Sequence, residues 1–171
     1  MNNELPPEAS SLLEEATTLC FETLLSHKDE LSLIVTGHLY VEYWLEWLIR
    51  HSIPRPERLL DSINLTFVQK LAVAESLGLV RNKLAKATRR LNNIRNQIAH
   101  RLKYQIPQKD LQLLASFTPT LSNEYQLLLQ SMGSPKSELM MFCSYFAGYA
   151  AGFVFGRSDA KGRRLSKGDV S

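Results

Sequence analysis

Residues 30–51 place the strongest limit on the fold. Leu31, Ile34, Val35, His38, Leu39, Val41, Trp44, Leu45, Leu48 and Ile49 leave this segment almost no polar side. A helix that is apolar nearly all round is stable only when other elements cover it on every side. The spacing therefore predicts the central helix of a bundle, capped by Asp29, with Trp44 and Trp47 packed in its core or along its edge.

The remaining segments read the same way. Ser11-Leu12-Leu13-Glu14 fits a capping box, followed at helical spacing by Ala16, Cys20 and Leu24. Pro54 and Pro56 mark a loop. Thr66-Phe67-Val68-Gln69 is a second capping box, opening a short helix that stops near Gly78. A long helix is predicted over roughly 80–104, ended by Pro107, with weaker helices near 108–117 and 120–132. Ser134-Pro135 opens a last helix to about 156. Residues 157–171 are polar, basic and glycine-containing, which predicts a short disordered tail. No segment alternates cleanly and no Asn-Gly or Asp-Gly hairpin turn occurs. The fold class expected is all-α, one antiparallel helical bundle over 1–156, with its C-terminal helices over about 108–156.

Cys20 and Cys143 have no metal-type spacing, which fits a reducing compartment. Met1 to Pro7 carry no basic residue ahead of an apolar run, so no signal peptide is expected and the location read is cytoplasmic. Residues 139–156 are uncharged, eighteen in a row, at the lower edge of what spans a bilayer. Ser144, Tyr145, Tyr149 and three glycines dilute them, so a buried helix or subunit contact is expected rather than a membrane anchor. Ser144, Gly148, Gly152 and Gly156 form a stripe that would let another helix approach closely.

The net charge of +3 hides a strong asymmetry. Residues 1–75 hold five basic and twelve acidic residues, whereas 76–109 hold nine basic residues and no acid. Such a segment marks either a polyanion-binding face or a helix that pairs with an acidic neighbour. Within it, Leu84, Ala87, Leu91, Ile94, Ile98 and Leu102 share an arc of roughly 80°, the expected core face. Arg89, Asn92, Asn93, Asn96, His100 and Lys103 cluster opposite, on a face with no acid in the sequence, and Arg95 stands at the border. An imidazole there can exchange a proton with a ribose hydroxyl, a guanidinium can clamp a phosphate, and an amide can orient either. Metal-independent cleavage of RNA needs this inventory; no metal site or cofactor is expected. The ordinary roles are a solvated histidine, an Asn96 surface hydrogen bond and an Arg95 ion pair with Glu42 or Glu46.

Arg95-Asn96-Gln97-Ile98-Ala99-His100 resembles the signature of the HEPN superfamily: an arginine, a polar residue directly after it, and a histidine about four to six positions beyond the arginine. Upstream, Phe67-Val68-Gln69-Lys70-Leu71-Ala72-Val73-Ala74-Glu75-Ser76-Leu77-Gly78-Leu79 is similar to the mannitol-repressor-like branch, as is Ser32 to Ile49. The likeness covers about 30–105. It implies a helical bundle that forms a homodimer, with the catalytic set Arg95, Asn96 and His100 meeting its counterpart in a basic cleft. Active relatives cleave RNA there without a metal; others bind nucleotides or act as regulators or interaction modules. Arg89, Arg101 and Lys103 would guide the RNA backbone, and an antitoxin or regulatory protein is a further expected partner. The alternative reading is a non-catalytic, mannitol-repressor-like transcriptional regulator, in which 70–87 form a helix-turn-helix presenting Arg81, Lys83 and Lys86 to DNA.

Overall fold

The computed structural model describes residues 7–27, 29–101, 103–117 and 123–165. They form helices α1 (Pro7–Ser26), α2 (Glu30–Arg50), α3 (Glu57–Leu60), α4 (Phe67–Ser76), α5 (Asn82–His100), α6 (Gln108–Ala115), α7 (Asn123–Ser131) and α8 (Lys136–Leu165), with no strand among the described residues. The architecture is an all-α helical bundle.

The cap residues act as their chemistry dictates. The Asp29 carboxylate accepts the Ser32 amide at 2.8 Å. Thr66 and Gln69 form the reciprocal capping box of α4. Two expected boundaries move. Ser11 lies inside α1, which begins with Pro7 at the position where a missing amide is harmless. The last helix continues past Gly156 to Leu165, so residues 157–165, expected in a disordered tail, have helical backbone. Arg157, Ala160, Lys161, Arg163 and Arg164 are good helix formers, and cations suit a helix C-terminus. Residues 166–171 lie outside the described residues.

α2 is central: it touches α1, α3, α4, α5 and α8. Ile34, Val41, Trp44, Leu45, Leu48 and Ile49 are fully buried. Trp44 packs edge-on against Tyr40, Tyr43 and Trp47. The partner face of α8 supplies Leu139, Phe142, Cys143, Phe146 and Ala150, all fully buried. Steps of one, three and four residues keep them on one side of the helix as a continuous seam.

Close approach of α2 and α8 depends on Gly37 rather than on the glycine stripe of α8. A Cβ added at Gly37 would lie 2.6 Å from the Leu139 side chain, whereas one at Gly148, Gly152 or Gly156 meets nothing within 4 Å. The Cys143 thiol reaches the Gly37 carbonyl at 3.6 Å. Gly37→Val is therefore expected to lower stability by about 1–3 kcal/mol in urea unfolding. Gly148→Ala is expected to raise it by up to about 1 kcal/mol through helix propensity.

Candidate nucleic-acid interface

The helix that carries the basic segment is held by a turn that only glycine serves well. Gly78 has φ +67°, its amide bonds Glu75 O, and the Leu79 amide bonds Ala74 O at 2.8 Å. This is a Schellman stop for α4, and it redirects the chain into α5. Leu84, Ala87, Leu91 and Ile94 are buried as the periodicity demands, and Ile98 packs against the core. Leu102 lies outside the described residues.

Asn92, expected on the polar face, is instead buried, as are Ala85 and Thr88. α5 touches α2, α4 and α6, so its covered arc is wider than a single stripe. The Asn92 side chain accepts a hydrogen bond from His38 Nε2 at 3.0 Å. That bond makes Nε2 the protonated nitrogen and turns Nδ1 toward Glu42, 4.0 Å away. The His38 ring also lies 4.1 Å from that of Phe67. His38 stands in an apolar run and Asn92 among polar neighbours, so neither position alone announces the pair that burial makes of them.

Burial pushes the His38 imidazole below its ordinary value of 6.5, against the opposing pull of the Asn92 bond and the Glu42 carboxylate. The unfolded chain then binds a proton that the native state refuses. Stability is complete above about pH 6.5 and falls as pH drops below it, by at most about 1.4 kcal/mol per pH unit. Urea midpoints compared between pH 7.5 and 5.5 should show this slope, and His38→Gln should flatten it.

The nine cations of 76–109 divide by partner. Arg89 pairs with Glu75, and Arg90 with the buried Asp110. Arg89, expected to guide a polyanion, is thus already engaged. Among the described residues, Arg81, Lys83, Lys86, Arg95, Arg101, Lys103 and Lys109 pair with no carboxylate. Glu42 and Glu46, the ordinary partners foreseen for Arg95, are taken by Lys70 from α4. Burial alone would lower the Lys70 ammonium; the two carboxylates hold it above its usual range.

Arg95 instead donates from Nη1 to Asn96 Oδ1 at 3.0 Å, and both side chains are half-buried. His100 is exposed at the last position of α5. It lines a cleft of about 470 Å³ with Ile98, Ala99, Arg101 and Tyr104, closed by Asp29, Glu30 and Leu31 from the start of α2. The acid-free surroundings expected for His100 are therefore corrected. The next helix in space brings two carboxylates that no spacing within 76–109 could reveal. Among the described residues, no hydrogen bond or ion pair joins His100 to Arg95 or Asn96. Lys103 is exposed beyond the helix end.

No group of three or more His, Cys, Asp or Glu side chains is placed to hold a metal among the described residues. Lys136–Gly156 has a mean hydropathy of 1.5, and 56% of its most apolar window is buried against the rest of the chain. No family model, curated protein or solved structure matches the chain.

Proposed function

We propose that the chain is a HEPN-like cytoplasmic protein, an antiparallel bundle that forms a homodimer and cleaves RNA without a metal. The observation that carries this reading is the state of α5's C-terminal half. Arg95 is oriented by its neighbour Asn96 and paired with no described carboxylate, and His100 is exposed at the mouth of a cleft. A guanidinium fixed at one nitrogen keeps its other donors for phosphate oxygens. An exposed imidazole can take the 2′-hydroxyl proton or return one to the leaving oxygen. Asn96 sets the direction of Arg95. Arg101 and Lys103 supply charge along the backbone path, and Arg89 adds a weaker, already neutralised contribution.

The dimer follows from the gap in one copy. Arg95 and His100 are not joined within the chain, and a second copy docking across α5 would set one copy's arginine against the other's imidazole. An antitoxin or regulatory protein would act by covering the same face. The reading is tested by sedimentation of the purified chain and by RNA cleavage in EDTA. A dimer with cleavage that needs His100 supports it; a monomer, or cleavage indifferent to His100, overturns it.

A second reading is favoured by one further observation. Arg81, the N-cap of α5, and Lys83 and Lys86 on its first turns are exposed directly after the Schellman turn of α4, as a DNA-reading helix would require. Lys83 also sits over the Phe117 ring, 5.2 Å from its centre. Under this mannitol-repressor-like alternative, duplex DNA binds and Lys86→Ala weakens it, with RNA left intact.

A further inference from the structure

The cleft at the end of α5 combines groups that no phosphate site would choose. Asp29 and Glu30 line it together with His100 and Arg101. A phosphate held between Asp29 and Glu30 would face two carboxylates, so the anion belongs on the side of Arg101. What the cleft itself suits is a flat, neutral group with hydrogen-bond donors on one edge. Leu31, Ile98 and Ala99 give it apolar surface, and Tyr104 gives it a half-buried aromatic ring. Its volume, about 470 Å³, lies within the roughly 300–1,000 Å³ of small-molecule clefts.

The two carboxylates are not equivalent. Asp29 is occupied in capping α2, through its bond from the Ser32 amide. Glu30 is exposed and, among the described residues, makes no ion pair. An ionised carboxylate only accepts hydrogen bonds, and it accepts two side by side. Of the four RNA bases, guanine alone presents two adjacent donor groups, N1–H and the 2-amino group, on its Watson–Crick edge. Adenine and cytosine each offer a single amino group beside an acceptor, and uracil offers one N–H between two carbonyls.

We infer that this cleft takes a guanine base of the RNA, with Glu30 reading its Watson–Crick edge and the Tyr104 ring against its face. The inference rests on the nuclease reading for its biological setting, but binding tests it separately. Bases splayed from single-stranded RNA are recognised in this way, by stacking together with edge hydrogen bonds.

The experiment is calorimetric titration of the full chain with 3′-GMP, 3′-AMP, 3′-CMP and 3′-UMP at pH 7.5, repeated with Glu30→Ala. The expected result is 3′-GMP bound at least about tenfold more tightly than the others, with the preference lost in the variant. Glu30 is exposed, so the variant should fold, and circular dichroism with an unchanged melting temperature checks this. Equal affinity for all four nucleotides, no binding up to millimolar concentration, or a guanine preference that survives Glu30→Ala each overturns the inference. So does acetyl-arginine amide binding more tightly than 3′-GMP, which would mark the cleft as a seat for a basic protein side chain. Mapping the ends of cleaved RNA separates the two levels. Cleavage indifferent to base identity removes the guanine site and leaves the nuclease standing. Guanine binding without any cleavage removes the nuclease and leaves the site.

Discussion

His100→Ala is expected to lower RNA cleavage in EDTA by about 10²–10⁴-fold, the range supplied by a positioned acid or base. The side chain is exposed at the end of α5 and makes no core contact, so the loss should come without a change in melting temperature. Arg95→Ala should produce a loss of similar size by removing the guanidinium proposed to clamp the phosphate. Because no described contact joins the two residues within one copy, mixing the two inactive variants gives a sharper result. If each site takes its arginine from one copy and its histidine from the other, every mixed dimer regains one intact site. Statistical exchange then restores about a quarter of wild-type activity. A site built wholly within one chain shows no recovery on mixing, and that outcome refutes the composite dimer site.

Trp44→Ala is expected to cost about 3–5 kcal/mol, the largest stability loss of any single truncation proposed for this chain. Trp44 is fully buried in α2, with Tyr40, Tyr43 and Trp47 around it. Removing the indole leaves a cavity that the helices on all sides of α2 prevent from collapsing. Among the described residues its Nε1 has no hydrogen-bond partner, so Trp44→Phe removes an unpaired buried donor as well as volume. Urea unfolding should find Trp44→Phe much milder than Trp44→Ala. Equal losses for the two would mean that the lost volume does not set the penalty.

Much of the fold was legible because helices are specified locally. Asp29, Thr66 with Gln69, and Gly78 announce their ends through bonds that span three to five residues, and each does so in the structure. The apolar surround of 30–51 likewise demanded a central place, which α2 occupies. The misplaced elements were those with weak local signals. α3 is a single turn directly after Pro56, and α8 runs past a glycine into a basic sequence where propensity alone favoured either outcome.

The site was legible only in its residue types. The helical period put His100 away from the leucine seam and grouped a cation, an amide and an imidazole. Period says nothing about which neighbour covers the remaining arc. Packing decided that Asn92 turns inward to His38, that Lys70 takes Glu42 and Glu46 away from Arg95, and that Glu75 neutralises Arg89. It also decided that the start of α2 brings Asp29 and Glu30 to the cleft of His100. The amino-acid sequence by itself determined the helices and the chemistry along each one, because those depend on hydrogen bonds and side-chain spacing within a few turns. Which charges remain free to meet a ligand was left to the tertiary structure, because ion pairing and burial are settled by residues distant in the chain and adjacent only after folding.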